Sequence, residues 1–527
     1  MKLAIGQYDA PQIQMQPVFY LDPYRSNIAV FGAPMSGKTT FIKTLLVRLH
    51  ENMEQIPGEN IYLIDFGGNI GDYGKLCNVC ACFDNSSEEN IKRVFRTIDR
   101  RLEENGKQLD SHNYYSVVSK TPEKAPMHMF LIIENVNAFL SDERYDSYRE
   151  KLIRFCRDGL SKGLTTIITA NDTTGINRLL ANFRQKIAFE MPTESYYDIF
   201  GTKVNPPMRI PGRGIANIES DIYEFQCFLP FPVMEDEIRI KSLVQQTKKY
   251  PNDNVLMAFS EDLTKDNLAY YCAKGYSGSN DQSKVVAGLD YYEHKPVSVN
   301  FRESRSIAIY GKRKFGKTNL LSLLLDGIRD YRPDAQFVLL DDGRKQLKPF
   351  DKDGCKPISQ NVEYFSDVYT MQNYLADNGY INLLRNGQVS PIRKTPFTVF
   401  VMQSKMLFRG GSGAGYSLMK NHFPLMIANA VARDFLFIFS DVPKISEHDV
   451  RRALIDNISA AFLLDSIGDF LSERNEETVF GMMDARELKA EYARCSVGDG
   501  YFYDVEADEL QKLRFIKADL KELNCNE

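Results

Sequence analysis

The sequence predicts an α/β protein made of two copies of one module, each a mostly parallel sheet covered by helices. Three observations predict it. The pattern G-x-x-x-x-G-K-T occurs twice, as Gly32-Ala33-Pro34-Met35-Ser36-Gly37-Lys38-Thr39 and Gly311-Lys312-Arg313-Lys314-Phe315-Gly316-Lys317-Thr318. Continuous apolar runs, as expected of strands buried on both faces, alternate with helical patterns. The same kinds of segment then follow each glycine loop in the same order, dividing the chain into residues 1–255 and 256–527.

The elements follow in chain order. Each glycine loop is preceded by an apolar run, Asn27-Ile28-Ala29-Val30-Phe31 or Ser306-Ile307-Ala308-Ile309-Tyr310. Each opens a helical pattern, from Thr40-Phe41-Ile42 or from Asn319-Leu320-Leu321. Strand, glycine loop and helix in that order form a P-loop, whose N–H groups surround phosphate oxygens at a helix N-terminus. Its lysine (Lys38, Lys317) neutralises the β/γ charge, and its threonine (Thr39, Thr318) is placed to hold Mg²⁺. All sixteen loop residues, with Thr40 and Asn319 just beyond them, are expected to bind nucleotide, with ATP and Mg²⁺ as the cofactors. A chance match arises at about 1 in 30,000 positions, so two in one chain are not coincidence.

Next come strands ending in Asp, Asn60-Ile61-Tyr62-Leu63-Ile64-Asp65 and Ala335-Gln336-Phe337-Val338-Leu339-Leu340-Asp341. The runs Met129-Phe130-Leu131-Ile132-Ile133 and Phe397-Thr398-Val399-Phe400-Val401 correspond in turn. So do Leu164 to Thr169 and Phe435 to Ser440, then Lys186-Ile187-Ala188-Phe189 and Ser459-Ala460-Ala461-Phe462. Ile199-Phe200-Gly201 answers Val479-Phe480-Gly481, and Gly212-Arg213-Gly214 and Gly498-Asp499-Gly500 each open a closing hairpin. The module boundary is expected in the polar stretch from Pro251 to Ser283, where residues 277–281 are turn-rich.

Composition narrows the function classes. The chain has 527 residues, a net charge of −5, 43% hydrophobic and 12% aromatic residues. That supports ordinary cores and advertises neither nucleic acid nor an anionic membrane as partner. No apolar run approaches the roughly 20 residues of a membrane helix, and no signal peptide follows Met1. Nine scattered cysteines argue for a reducing compartment. The cluster Cys77-Asn78-Val79-Cys80-Ala81-Cys82 lies in a strand-like run, so buried cysteines are expected there rather than a zinc clip. Arg96, Arg100, Arg101 and Arg157 sit on helical patterns, where solvated faces are expected before an arginine finger.

A P-loop needs a partner strand ending in an acid that holds the Mg²⁺ shell, often followed by one that activates water. Two strands per module compete for this role. The first offers Asp65 or Glu134-Asn135; the second offers Asp341-Asp342 or Met402-Gln403.

The repeat resembles tandem FtsK/SpoIIIE-type P-loop ATPase domains, and among them the motor ATPases of Gram-positive type VII secretion. The resemblance rests on both P-loops, Asp65-Phe66-Gly67-Gly68, Arg100-Arg101-Leu102 and Phe130-Leu131-Ile132-Ile133-Glu134-Asn135. Gly163-Leu164-Thr165, Pro211-Gly212-Arg213-Gly214 and Glu224-Phe225-Gln226 complete it, over nearly the whole chain. It implies two RecA-like modules at the cytoplasmic face of a bacterial membrane, joined to that membrane only through N-terminal segments that have no counterpart here. It also implies Esx-type helical-hairpin substrates as partners, and other modules and copies of the motor, with a hexamer in the full-length protein.

In that family the acidic strand is the later one, which makes Glu134 the catalytic acid and leaves Asn135 and Met402-Gln403 degenerate. A missing general base costs about 10²–10⁴ in rate, so nucleotide binding with weak turnover is implied. Two other readings differ in what they need. A DNA translocase needs hydrolytic acids and a basic strand-tracking surface. An unrelated tandem P-loop NTPase would use Asp65 and Asp341 as its metal-binding acids.

Overall fold

A computed structural model of the chain describes residues 2–52, 60–86, 88–110, 112–218, 221–247, 255–256, 262–271, 281–292, 294–312, 314–341, 345–385, 388–389, 391–403, 407, 413–440, 457–465, 495–507 and 509–518. Arg313, Asp342, Cys272, Cys525, Val479-Phe480-Gly481 and residues 277–280 lie outside that set. The chain forms two compact units, residues 1–258 and 259–527.

The first unit holds strands β1 (Leu3–Tyr8), β2 (Val18–Leu21), β3 (Ile28–Phe31), β4 (Asn60–Asp65) and β5 (Val79–Asp84). It continues with β6 (Met129–Glu134), β7 (Leu164–Ala170), β8 (Gln185–Phe189), β9 (Arg213–Ile218) and β10 (Asp221–Cys227). They form one sheet in the order β2-β1-β10-β9-β8-β3-β7-β6-β4-β5. From β8 to β5 the neighbours run parallel. From β8 to β2 they run antiparallel.

Every residue of β3, β4, β6 and β7 is buried, because both faces of the parallel part are covered. On one face α1 (Lys38–Glu51) packs Phe41, Ile42, Leu45 and Leu49 against Ile28, Val30 and Ile132. On the other, α2 (Glu88–Leu109) presents Ile91, Val94, Phe95, Ile98 and Leu102 at helical spacing, against Ala29, Phe31, Tyr62 and Ile133. Of the cysteines expected to be buried in the strand-like run, Cys80 in β5 is buried, its Sγ meeting Asn60 Oδ1 at 2.9 Å, whereas Cys77, ahead of the strand, and Cys82 are half-buried.

The ten-stranded sheet of the second unit repeats that of the first strand for strand. Its strands are β11 (Lys284–Asp290), β12 (Pro296–Asn300), β13 (Ser306–Tyr310), β14 (Gln336–Asp341) and β15 (Val362–Phe365). Then come β16 (Thr398–Gln403), β17 (Phe435–Ser440), β18 (Ala460–Leu463), β19 (Asp499–Asp504) and β20 (Glu509–Phe515). The sheet order β12-β11-β20-β19-β18-β13-β17-β16-β14-β15 is the order of the first with ten added to each label. Helix α3 (Lys317–Tyr331) corresponds to α1, and α4 (Val368–Asp377) covers the opposite face through Met371 and Leu375.

Each unit also begins with a hairpin absent from the sequence-based expectation, β1–β2 and β11–β12. Both hairpins carry a bulge at a glycine, Gly6 or Gly288. A side chain on either would stand 2.3 Å from a carbonyl oxygen of the neighbouring strand, Gln226 or Arg514.

Candidate nucleotide site

The two loops share one backbone solution. The fourth residue of each, Met35 or Lys314, is left-handed at φ 65° or 73°, and the glycine before the helix, Gly37 or Gly316, has φ 115° or 98°. Successive N–H groups in such a turn make a concavity for anions. Met35 is 96% exposed, so its side chain fills no core and the position serves the backbone. In both loops the lysine ammonium is folded onto loop carbonyls. Lys38 Nζ donates to Gly32 O at 2.5 Å and Ala33 O at 2.9 Å. Lys317 Nζ donates to Gly311 O at 2.7 Å and Lys312 O at 2.8 Å. Burial pulls the Lys38 ammonium below its usual range, against the attraction of Glu134.

Sheet order separates the two candidate acids. The loop strand β3 neighbours β7, then β6, then β4. At a strand spacing of about 4.8 Å, the end of β6 lies roughly 10 Å across the sheet from β3 and the end of β4 roughly 14 Å. Accordingly Glu134 Oε1 accepts the hydrogen bond of the Thr39 hydroxyl, while among the described residues its buried Oε2 meets no donor. Burial, then the adjacent Asp65 carboxylate, push Glu134 up to about 7, opposed by the Thr39 hydroxyl and Lys38.

Asp65 is occupied otherwise. Its Oδ1 accepts from Gly67 N (3.1 Å) and Gly68 N (2.7 Å), and its Oδ2 from Ile70 N (3.0 Å). It holds the turn that lies against Glu134, where a side chain on Gly67 would stand 3.1 Å from Oε2. Asn135 is left-handed at φ 61°, a conformation Asn tolerates better than most residues, and its N–H donates to Thr169 Oγ1 at 2.8 Å.

The second unit differs at the same positions. Strand pairing sets Asp65 opposite Glu134 and Asp341 opposite Gln403. The counterpart of Glu134 is therefore Gln403, and the sequence-based pairing of Met402-Gln403 with Glu134-Asn135 shifts by one residue. Met402 is a core residue on one sheet face. Gln403 is buried, and its amide pairs with Gln346. Asp341 Oδ2 accepts from Leu347 N at 2.8 Å and Tyr364 OH at 3.3 Å, the turn-holding part that Asp65 plays. Asn319 is drawn away from its loop: its amide donates to Ile516 O (2.8 Å) and accepts from Ala518 N (2.7 Å). Lys312 pairs with Asp465 at 3.1 Å. Of the arginines singled out, Arg100 pairs with Glu104 and Arg157 with Asp158.

In the first unit the loop is completed by a segment 170 residues downstream. Gly212 N donates to Ser36 O at 3.0 Å. A side chain on Gly37 would stand 2.8 Å from Gly212 N, so the two turns touch backbone to backbone. Arg213 anchors the turn through Glu224 Oε1 (2.8 Å) and Asp9. A cavity of about 330 Å³ opens here, lined by Gly37, Lys38, Thr39 and Thr40 of the loop and by Pro211, Gly212, Gln226, Cys227 and Leu229. The Gly212 motif and Gln226 were legible only as marks of resemblance; their place at the loop was not.

No family model matches the chain. It is 24% identical over 372 residues to the type VII secretion system protein EssC of Staphylococcus aureus, covering 67% of this chain and 24% of that protein. It is 25% identical over 354 residues to the ESX secretion system protein EccC of Geobacillus thermodenitrificans, covering 63% of this chain and 23% of that protein. The aligned part thus spans about a quarter of these relatives' length. Among solved structures, EssC (ATPases 2 and 3) from Geobacillus thermodenitrificans superposes with a TM-score of 0.70 at 19% identity, covering 98% of this chain and 96% of that one. Thermomonospora curvata EccC (ATPases 2 and 3), solved in complex with a signal sequence peptide, gives 0.60 at 16%, covering 98% and 93%. The chain therefore has the fold of a tandem pair of type VII secretion ATPase modules.

Proposed function

We propose that the chain is a pair of ATP-binding modules of a type VII secretion motor, which bind secretion substrates and regulate the motor at the cytoplasmic face of the membrane. The observation that carries this reading is the Lys38–Thr39–Glu134 arrangement at an intact P-loop, in a chain similar along its length to secretion ATPase modules. Among the described residues no helix is long and apolar enough to cross a membrane, so attachment falls to other parts of the motor.

The residues of the first unit fit Mg²⁺. Among the described residues Glu134 Oε2 is a buried acceptor with no donor, and the Thr39 hydroxyl lies beside it. A bound Mg²⁺ would supply charge neutralisation between the phosphates, with Thr39 and Glu134 as its protein contacts. Lys38 would leave the loop carbonyls for the phosphate oxygens, a move between acceptors within one loop. In the second unit Thr318 and Lys317 remain but the acid is replaced by the amide of Gln403, which suits holding a nucleotide more than turning it over. Substrates are expected to be Esx-type helical hairpins, and the complex of Thermomonospora curvata EccC with a signal sequence peptide supports a peptide signal as the bound part.

Calorimetry with ATP and Mg²⁺ tests the reading. About two nucleotides per chain are expected, falling to one in Lys38→Ala or Lys317→Ala. A stoichiometry of zero overturns it, and a stoichiometry of one confines it to a single unit.

A further inference from the structure

We propose that the first unit selects adenine nucleotides over guanine nucleotides through the side-chain amide of Gln226, an inference that rests on the nucleotide-binding reading above. Gly37, Lys38, Thr39 and Thr40, the loop residues that would hold phosphates, line the cavity. The same cavity is lined by Pro211, Gly212, Gln226, Cys227 and Leu229, which the rest of a nucleotide seated there would meet. Pro211, Cys227 and Leu229 are apolar walls that suit a purine face. Gln226 is the polar side chain among them.

The position of Gln226 is held by backbone. It pairs in register with Arg213 on β9 and Gln7 on β1, so β10 is fixed on both sides. Its Nε2 lies over the turn, 3.0 Å from where a side chain on Gly212 would stand and 3.3 Å from Pro211 O. The second N–H and the Oε1 remain to meet a ligand. A carboxamide donates to one ring nitrogen of adenine while accepting from its amino group, a bidentate match. Guanine offers two acceptors, O6 and N7, on the corresponding edge, so the amide oxygen meets another acceptor there.

The second unit lacks this feature. By register the counterpart of Gln226 is Arg514, which is committed to Asp499. The counterpart of Leu229 is Lys517, paired with Asp262. Among the described residues the carboxamide beside that segment, Asn319, is already held by Ile516 O and Ala518 N, so the feature belongs to the first unit.

The test uses the full chain carrying Lys317→Ala, so that binding reports the first unit, and measures ATP, GTP and purine riboside triphosphate, which lacks the 6-amino group. ATP is expected to bind roughly tenfold or more tighter than either of the others. Gln226→Ala, and Gln226→Glu, which keeps the shape but loses the donor, are expected to bring ATP and GTP within about threefold of each other. A purely structural role for Gln226 would weaken both nucleotides equally and leave their ratio unchanged; that result overturns the proposal. Equal binding of ATP and GTP by the parent chain also overturns it while leaving the nucleotide-binding reading standing. Binding of neither removes both.

Discussion

At the scale of the residue, Glu134 is a buried carboxyl group between the Thr39 hydroxyl and Asp65. Its folded value near 7 lies above the ordinary range of Glu, so the folded state binds the extra proton between about pH 4.5 and 7. In that window stability falls as pH rises, because ionising Glu134 beside Asp65 costs more in the folded chain than in the unfolded one. Glu134→Gln should therefore match the wild type near pH 4.5 and become the more stable protein by pH 8, read by chemical denaturation across pH. Parallel curves for the two proteins would remove the role of Glu134 in this pH dependence.

Asn135 poses a separate question of rate. The wild type should hydrolyse ATP below about 0.1 s⁻¹, against about 10 s⁻¹ for a typical enzyme, since Asn135 stands where a water-activating acid is expected. Its φ of 61° makes Asp the acid to install, because Glu in the left-handed region costs on the order of 1 kcal/mol or more. Asn135→Asp should raise phosphate release, and Glu134→Ala should abolish it. Fast turnover lost on Asp65→Ala but kept in Glu134→Ala would transfer the metal to the other strand.

At the scale of the element, two glycine contacts hold the sheet and the loop together. Gly6 in β1 and Gly288 in β11 leave no room for a methyl group between paired strands. Gly6→Ala or Gly288→Ala should each destabilise its own unit by about 1–3 kcal/mol, measured as an earlier unfolding transition. Gly37 against Gly212 is a different contact, between the loop and the turn that walls its cavity. Gly37→Ala should lower the calorimetric stoichiometry by one nucleotide while the second unit keeps its own.

These contacts also show why the opening hairpins escaped sequence reading. Leu3-Ala4-Ile5 and Val285-Val286-Ala287 are short and weakly patterned, and β1 earns its place by pairing with β10, more than 200 residues away. The parallel strands were legible because complete burial writes an unbroken apolar run into each of them.

At the scale of the whole molecule, two units with one strand order carry different site chemistry. The first has a carboxylate at its loop and the second an amide at the corresponding position; the function proposed above would assign the second the holding of nucleotide and the receipt of substrate. A signal-sequence peptide should bind residues 259–527 and not residues 1–258, each of which is a compact unit. Equal binding to both, or binding to the first alone, would remove this asymmetry.

The sequence by itself determined the two loops, their lysines and threonines, the strand–loop–helix order and the doubling of the module. Each of these is local: spacing, glycine content and apolar runs are read within a few tens of residues. The resemblance pointed to the later strand and Glu134, and the tertiary structure supplies the physical reason by placing that acid at the loop, its Oε1 accepting from Thr39. Asp65 and Glu134 both end apolar strands, and nothing in the two segments ranks them; the order β3-β7-β6-β4 does, by setting one a strand nearer than the other. It likewise made Gln403 the counterpart of Glu134 and brought Gly212 and Gln226 to a loop that precedes them by more than 170 residues. Strand order and register arise from packing the sheet as a whole, so they belong to no single stretch of chain.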